Sequence, residues 1–409
     1  MKKLLLLCFA LPVMAMAQKG VKFEHETTWK EVQAKAKAEN KYIFMDAFTT
    51  WCGPCRYMSS TIFPQEAVGK FFNEKFINVK VQLDTTKADN EDVKKWYADA
   101  HNIMTGFKVN VFPTYLFFDP NGKLVHRAIG SSEAAAFLAK ANDALNPEKQ
   151  YYTMLDKYNA GNRQPDFLRT LAYAAQDAYD QKMAIVISKD YVAAQKDLTT
   201  KQNIEFIDKF TKSSKDAGFA FILNNTAKFD EARGEGAART KLVEIVKREE
   251  VYPAVFKKGA SDANWSELTS VVAAKYPSLA KEVISASKVV YYQQKKDWNS
   301  FQPAVQEYMK NYGAKATSAQ LNEYAWTVFE NCKDMTCVTD ALEWSKRSFK
   351  ENNNPMFMDT YANILYKLGK KEEAILWEEK AVALVSESEK KGYQETMEKM
   401  KKGEKTWKE

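Results

Sequence analysis

Two cysteines separated by two residues, Cys52 and Cys55, are the side chains of this sequence best suited to covalent chemistry. Such a pair serves as half of a zinc site, as a structural disulfide or as a redox-active dithiol. A redox dithiol needs one cysteine exposed at the N-terminus of a helix, where unpaired N–H groups and the helix dipole stabilise a thiolate. It needs the second cysteine one turn inside the helix, close enough to attack a mixed disulfide.

The residues around the pair supply that setting. The apolar run at 41–48 predicts a strand buried on both faces. A helix is predicted to begin within Gly53, Pro54 and Cys55, because proline suits the first turn, where its missing N–H would have no partner. The junction favours redox chemistry over an inert staple, since closing so short a loop gains little stability.

The segment from 21 to about 147 mixes helical and strand-like patterns. Thr28 and Glu31 form a capping box that predicts the start of a helix. After the cysteines a helix bent near Pro64 is expected. Strands are then predicted at 76–84, 112–118 and 123–130, and a last helix at 131–145. A polar stretch follows and marks a predicted domain boundary at 147.

The stretch "WCGPC", from Trp51 to Cys55, resembles the active site of the thioredoxin superfamily, and residues 21–145 follow the order of elements in that family. The resemblance implies an α/β thioredoxin fold, a central mixed sheet flanked by helices, over residues 18–147. The segment is similar to exported thioredoxin-like domains, including the C-terminal domain of the transmembrane thiol–disulfide interchange protein.

The resemblance also implies roles for individual residues. Asp46 matches the buried aspartate that handles the proton of the second cysteine, and Lys80 matches the lysine near that aspartate. A solvated strand-edge lysine remains an alternative for Lys80. Pro113 matches the cis-proline that packs beside the disulfide, and Gly130 matches the glycine near the end of the last strand. The implied substrate-binding residues are Trp51, Gly53, Pro54, Phe112 and Pro113.

The implied activity is that of a protein thiol–disulfide oxidoreductase. The Cys52 thiolate, with an expected pKa of about 7, attacks a client disulfide, and Cys55 resolves the mixed disulfide with Asp46 as proton acceptor. No cofactor and no metal are expected. The Gly-Pro dipeptide favours the reducing end of the family. An isomerase or oxidase, and a protein-binding scaffold with a thioredoxin-like docking module, remain open.

The first 17 residues have the pattern of a secretory signal peptide. Two lysines precede an apolar run at 4–13 and a small-residue cleavage site before Gln18. The run is shorter than the roughly 20 residues that span a membrane. The sequence therefore predicts a periplasmic protein without membrane insertion after cleavage. Lipidation at Cys8 is a weaker alternative, because this cysteine lies inside the apolar run.

The length and charge of the chain limit the classes of binding partner that we expect. The 409 residues suggest two or three domains. The formal net charge of +7 is mild and evenly interspersed, so the chain is not expected to bind nucleic acid. The expected partners are disulfide-containing client proteins and a membrane thiol reductant.

From 148 to 409 strand-like runs almost vanish and helical spacing dominates. Internal repeats are clearest at about 285–385, and the unit "YKLGKKEEA" resembles a tetratricopeptide repeat. The resemblance implies an all-α solenoid of helical hairpins. We expect this region to bind clients or partners.

A second cysteine pair, Cys332 and Cys337, lies at a turn of the penultimate repeat. That turn is predicted to be four residues longer than its counterpart in the last repeat. A structural disulfide is expected to fasten it, with free thiols or a second redox pair as alternatives. Position 32 cannot contribute to a structural disulfide, because it holds Val32 and not a cysteine.

Metal binding is not indicated by the remaining cysteines and histidines. A four-thiolate zinc site would require the two cysteine pairs, which are far apart in the sequence, to meet in space. The histidines show no ligand spacing; they are His25, His101 and His126.

Overall fold

The computed structural model describes residues 19–25, 27–257 and 262–407. The predicted signal peptide, residues 1–17, lies outside the described residues. The chain forms two compact units that divide between Lys196 and Asp197. The proposed domain boundary at 147 stays a prediction.

The strands and helices of the first unit occur in mixed order. Its strands are β1 (Tyr42–Phe48), β2 (Phe76–Gln82), β3 (Thr114–Phe118) and β4 (Leu124–Ile129). Its helices are α1 (Trp29–Glu39), α2 (Gly53–Tyr57), α3 (Glu66–Lys75), α4 (Glu91–Lys95), α5 (Tyr97–Gly106), α6 (Ala134–Ala144), α7 (Tyr151–Asn159), α8 (Pro165–Asp177) and α9 (Gln181–Ala194). A π-helical turn, Met58–Ile62, continues α2 directly.

The four strands form one mixed sheet in the order β2-β1-β3-β4. Strand β1 runs parallel to β2 and antiparallel to β3, which pairs antiparallel with β4. The central place of β1 explains its continuous apolar run, because a central strand is buried on both faces. With helices on both sides, this sheet confirms the predicted thioredoxin fold.

Alternation along β1 decides what lies on each face of the sheet. Ile43, Met45 and Ala47 belong to one buried cluster, which includes residues of α1 and α5. Phe44 belongs to the other cluster, which includes residues of the π-helical turn, α3 and α6. Side chains two positions apart on a strand share a face. Asp46 therefore lies on the face that α2 and its π-helical turn cover.

Position 32 contributes no thiol, since it holds a valine where a structural disulfide would need a cysteine. Val32 lies in α1 and is 1% exposed. It belongs to the same apolar cluster as Ile43 and Met45 of β1. The side chain therefore packs α1 against the sheet and takes no part in disulfide chemistry.

Helix α7 is joined to the sheet by a buried histidine. His126 on β4 is 5% exposed, and its Nδ1 accepts a hydrogen bond of 3.1 Å from the backbone N–H of Tyr151. Burial lowers the pKa of His126 to about 4. The side chain is therefore neutral at pH 7 and serves packing.

The second unit is all-helical over its described residues. Its helices are α10 (Lys201–Phe210), α11 (Ala217–Asn224), α12 (Thr226–Arg233), α13 (Ala237–Val246), α14 (Tyr252–Val255), α15 (Trp265–Lys275), α16 (Ala280–Lys295), α17 (Trp298–Tyr312), α18 (Ser318–Asn331), α19 (Met335–Ser348), α20 (Pro355–Lys367), α21 (Lys371–Leu384) and α22 (Lys390–Lys402). Neighbours along the chain pack in pairs, most extensively α16 with α17, α18 with α19 and α20 with α21. This confirms the predicted all-α class; the tetratricopeptide resemblance stays a prediction.

The prediction for the second cysteine pair is wrong about the turn, about the place of Cys337 and about the disulfide. The connection between α18 and α19 is residues 332–334 and that between α20 and α21 is residues 368–370, three residues each, so no enlarged turn exists. Cys337 lies in the first turn of α19 rather than in a loop. Both Cys332 and Cys337 are buried free thiols, and the expected disulfide is not formed.

Within the described ranges, no helix is long and apolar enough to cross a membrane.

Candidate active site

Cys52 and Cys55 form a disulfide at the junction of β1 and α2, with an S–S distance of 2.06 Å. Cys52 is the N-cap residue of α2, and its Sγ accepts a hydrogen bond of 3.1 Å from the backbone N–H of Cys55. Pro54 lies in the first turn. The sulfur of Cys52 therefore faces the positive end of a helix, the setting that stabilises a thiolate after reduction.

The disulfide is less accessible than the sequence led us to expect. Cys52 is only 3% exposed and Cys55 2% exposed. In this oxidised form the Cys52 sulfur is bonded to Cys55 and also accepts the hydrogen bond from the helix N-terminus. The exposed apolar surface is supplied by Trp51, which is 66% exposed and packs edge-to-face on Phe112 with ring centroids 5.7 Å apart.

The loop before β3 has the geometry that the resemblance implies. The Phe112–Pro113 peptide bond is cis. The carbonyl oxygen of Pro113 accepts a hydrogen bond of 2.9 Å from the N–H of Gly130. Gly130 has a φ of +79°, a conformation that glycine adopts without the steric cost borne by other residues. This hydrogen bond explains the glycine at that position and ties the cis-proline loop to the end of β4.

Asp46 is buried beneath the active-site helix without a hydrogen-bond partner. The residue is 1% exposed, and neither carboxylate oxygen is hydrogen-bonded within the described part of the chain. Burial raises the pKa of Asp46 to about 7, and the positive charge of Lys80 acts in the opposite direction. The carboxyl group can therefore both accept and release a proton near neutral pH.

Lys80 is placed beside Asp46 by the parallel pairing of β1 and β2, in which the two residues are register partners. Its Nζ lies 3.9 Å from Asp46 Oδ2 and 4.6 Å from the ring centroid of Phe48, and it donates a hydrogen bond of 2.5 Å to Ser59 Oγ. The Lys80 side chain is 27% exposed. The geometry thus favours a lysine that acts on Asp46 over one that is merely solvated.

Sequence reasoning missed the support for the loop that precedes Trp51. The carboxylate of Asp84 accepts hydrogen bonds from the backbone N–H and the hydroxyl of Thr50, at 3.0 and 2.5 Å. The guanidinium of Arg56 donates to the Thr50 carbonyl at 3.1 Å. The position of Asp84 as the last residue of the predicted strand at 76–84 is the only signal in the sequence, and it indicates no specific partner.

Tyr115 was also missed as a member of the site. It is the register partner of Asp46 across the antiparallel pairing of β1 and β3, and it is fully buried. Its hydroxyl oxygen has no hydrogen-bond partner among the described residues. Burial, together with the nearby Asp46 charge, raises the pKa of Tyr115. Lys80, Asp46 and Tyr115 therefore form a row across three adjacent strands.

Residues 29–145 match a family model described as a thioredoxin-like domain. Thioredoxin-1 of Saccharomyces cerevisiae is 30% identical over 109 residues, which cover 27% of this chain and 87% of the yeast protein. The thiol:disulfide interchange protein DsbD of Actinobacillus pleuropneumoniae is 28% identical over 127 residues, which cover 30% of this chain and 20% of that protein. A solution structure of a thioredoxin from Thermus thermophilus is 19% identical with a TM-score of 0.25, covering 31% of this chain and 88% of that one.

The fold and the paired cysteines define a thioredoxin-like domain. Through it, this chain belongs to the thioredoxin family. The matched region spans only part of the first curated relatives, namely 27% and 20% of the length of two of them. The helices after α6 lie outside the matched residues 29–145.

Proposed function

We propose that this protein is an exported thiol–disulfide oxidoreductase that reduces protein disulfides through Cys52 and Cys55. The observation that carries the proposal is the Cys52–Cys55 disulfide at the N-terminus of α2, above the buried Asp46. Export rests on the leader pattern of residues 1–17. The periplasm is the proposed location, because it allows disulfides to persist in client proteins.

The first half of the reaction uses the reduced form of the protein. The Cys52 thiolate attacks one sulfur of a client disulfide, and the other client sulfur leaves as a thiolate that takes up a proton. A mixed disulfide now joins Cys52 to the client. Trp51 and Phe112 supply apolar surface for the client beside the disulfide. The Pro113 carbonyl already accepts a hydrogen bond from the N–H of Gly130. We therefore propose that the backbone of Phe112 forms the hydrogen bonds with a client.

The second half of the reaction releases the client. The Cys55 thiol loses its proton to the Asp46 carboxylate, and the resulting thiolate attacks Cys52 Sγ. The bond between Cys52 and the client breaks, and the second client thiolate leaves and is protonated. The client has gained two electrons and two protons, and the Cys52–Cys55 disulfide is restored. An external dithiol, which we propose is a membrane thiol reductant, must then reduce it.

The helical region is proposed to bind clients or a partner protein. Its packed helix pairs and the sequence repeats at about 285–385 support a tetratricopeptide-like array. Arrays of this kind provide extended binding surfaces, which a reductase can use to hold a folded client. The reaction itself needs no metal and no cofactor beyond the two cysteines.

Reduction of insulin disulfides by the full mature chain, with dithiothreitol as electron source, tests the proposal. The wild-type protein should accelerate insulin precipitation, and Cys52→Ser should remove the acceleration because the attacking thiolate is gone. A variant with both Cys332→Ser and Cys337→Ser is the matched control and should retain full activity. Full activity in Cys52→Ser would rule out the proposed chemistry and leave the scaffold alternative.

A further inference from the structure

The ammonium group of Lys80 contacts a hydroxyl group, a carboxylate and two aromatic rings. It donates a hydrogen bond of 2.5 Å to Ser59 Oγ and lies 3.9 Å from Asp46 Oδ2. It also lies 4.6 and 5.9 Å from the ring centroids of Phe48 and Phe63. The hydroxyl of Ser59 is the nearest polar contact, closer than the carboxylate. Ser59 therefore makes the shorter of the two polar contacts that locate this charge.

Lys80 also borders a cavity that offers the ammonium other partners. The cavity has a volume of about 230 Å³ and is lined by Glu24, Asp92 and His25 as well as Lys80. Lysine carries its charge on a flexible four-carbon chain, so the ammonium can move between carboxylates that lie within its reach. Glu24 and Asp92 already pair with Lys35 and Lys95, at 2.8 and 3.1 Å. They would nonetheless attract a released Lys80 away from Asp46.

We propose that Ser59 is a positioning residue, whose hydroxyl holds the Lys80 ammonium beside the Asp46 carboxylate. The inference rests on the proposed function, because it assigns Ser59 an effect on proton transfer between Cys55 and Asp46. Ser59 touches neither the client nor the sulfur atoms in this account; it acts through Lys80.

The π-helical turn explains why only one of two neighbouring serines can do this. Ser59 and Ser60 both lie in Met58–Ile62. Ser59 is half-buried and meets Lys80, whereas Ser60 is exposed and its hydroxyl contacts the Tyr57 carbonyl at 3.5 Å and Thr61 Oγ1 at 3.3 Å. Ser60 thus provides a control in the same turn, with the same chemical group removed.

The consequence for Asp46 follows from the charges around it. The titratable groups that face Asp46 are Lys80 on β2, Tyr115 on β3 and the two cysteines at α2. The other two on α2 point elsewhere: Arg56 donates to the Thr50 carbonyl and Tyr57 to Glu133. Lys80 is the positive one, and it favours the ionised carboxylate against the effect of burial. If Lys80 moves towards the carboxylates of Glu24 and Asp92, ionised Asp46 loses this stabilisation. Asp46 then accepts the Cys55 proton only at higher pH.

The test is the pH dependence of client release by the full mature chain, measured as single-turnover resolution of a Cys52–peptide mixed disulfide. In Lys80→Met the acid limb of the rate profile should move up by about one pH unit. In Ser59→Ala it should move up by about half as much. Ser60→Ala should overlay the wild type, and Ser59→Thr should restore the wild-type profile because it keeps the hydroxyl.

A double variant separates positioning from a structural effect. If Ser59 acts through Lys80, Ser59→Ala should cause no further shift in a Lys80→Met background. An equal shift in both backgrounds, or an unshifted profile in Ser59→Ala, would overturn the proposal. Difference infrared titration of the Asp46 carboxyl group, assigned with Asp46→Asn, reports the same shift without turnover. If the wild type shows no reductase activity but Ser59→Ala still raises the pKa of Asp46, the role of Ser59 is supported and the proposed function is contradicted.

Discussion

Replacing Cys55 by serine is expected to stop thiol–disulfide exchange at the mixed disulfide between Cys52 and a client. Cys52 keeps its place at the N-terminus of α2 and still attacks, but no second thiolate remains to displace the client. Reductase turnover should fall to the uncatalysed rate, with one client molecule bound per protein molecule. Mass spectrometry of the non-reduced protein measures the adduct.

The control for this experiment is Cys52→Ser/Cys55→Ser, which should bind no client covalently. If Cys55→Ser instead turns over many disulfides without trapping, Cys52 alone carries the chemistry, as an isomerase can. That result would contradict Cys55 as the resolving residue and would favour the isomerase alternative.

Replacing Asp46 by asparagine is expected to stabilise the oxidised protein strongly at high pH and much less at low pH. The pKa of Asp46 is raised from 3.8 in the unfolded chain to about 7 in the folded one. Because the folded state holds its proton to higher pH, the wild type loses stability as pH rises through this window. A shift of this size corresponds to about 4 kcal/mol. The gain from Asp46→Asn should therefore grow by up to about 4 kcal/mol between pH 3 and pH 9.

Denaturant unfolding of both proteins across this pH range measures the difference. Asp92→Asn is the control, because Asp92 is half-exposed and a surface change of this kind alters stability by about 0.5 kcal/mol or less. A pH-independent effect of Asp46→Asn would mean that Asp46 ionises with an ordinary pKa. The same variant should slow client release, since Cys55 then lacks its proton acceptor.

Local patterns were sufficient to predict individual strands and helices, and the family resemblance then supplied the thioredoxin fold. The strand expected at 41–48 is Tyr42–Phe48, and the helix expected at 131–145 is Ala134–Ala144. The bend near Pro64 corresponds to the break between the π-helical turn and α3. These elements follow from hydrophobic periodicity and capping residues, which act within a few residues of one another.

Contacts between elements distant in sequence were not predictable from the residues themselves. Ser59 meets Lys80 because a π-helical turn directs it towards β2, and Thr50 meets Asp84 because β1 and β2 are neighbours. The roles of Asp46 and Lys80 came from the family resemblance rather than from spacing. No periodic pattern in the sequence predicts which serine or threonine will contact a particular charged side chain.

The helical repeats show a different kind of error. The longer turn was predicted because Ala341 of one repeat matches Ala374 of the next in the sequence. Both residues are fully buried, but Ala341 is the seventh residue of α19 and Ala374 the fourth residue of α21. When the two repeats were matched by residue type, this offset of about one helical turn was interpreted as a longer loop. It then assigned Cys337 to that loop and predicted a disulfide. A helical face repeats every turn, so matched residues alone cannot separate a shift along a helix from a change in loop length.

The reduction potential of the Cys52–Cys55 pair tests the central claim most directly. We would measure it in the full mature chain carrying Cys332→Ser and Cys337→Ser, equilibrated against glutathione, so that only one cysteine pair responds. A reductase requires a value near the thioredoxin end of the range, about −270 to −230 mV. A value of about −180 to −120 mV would contradict the proposed direction of electron flow and would indicate an isomerase or oxidase.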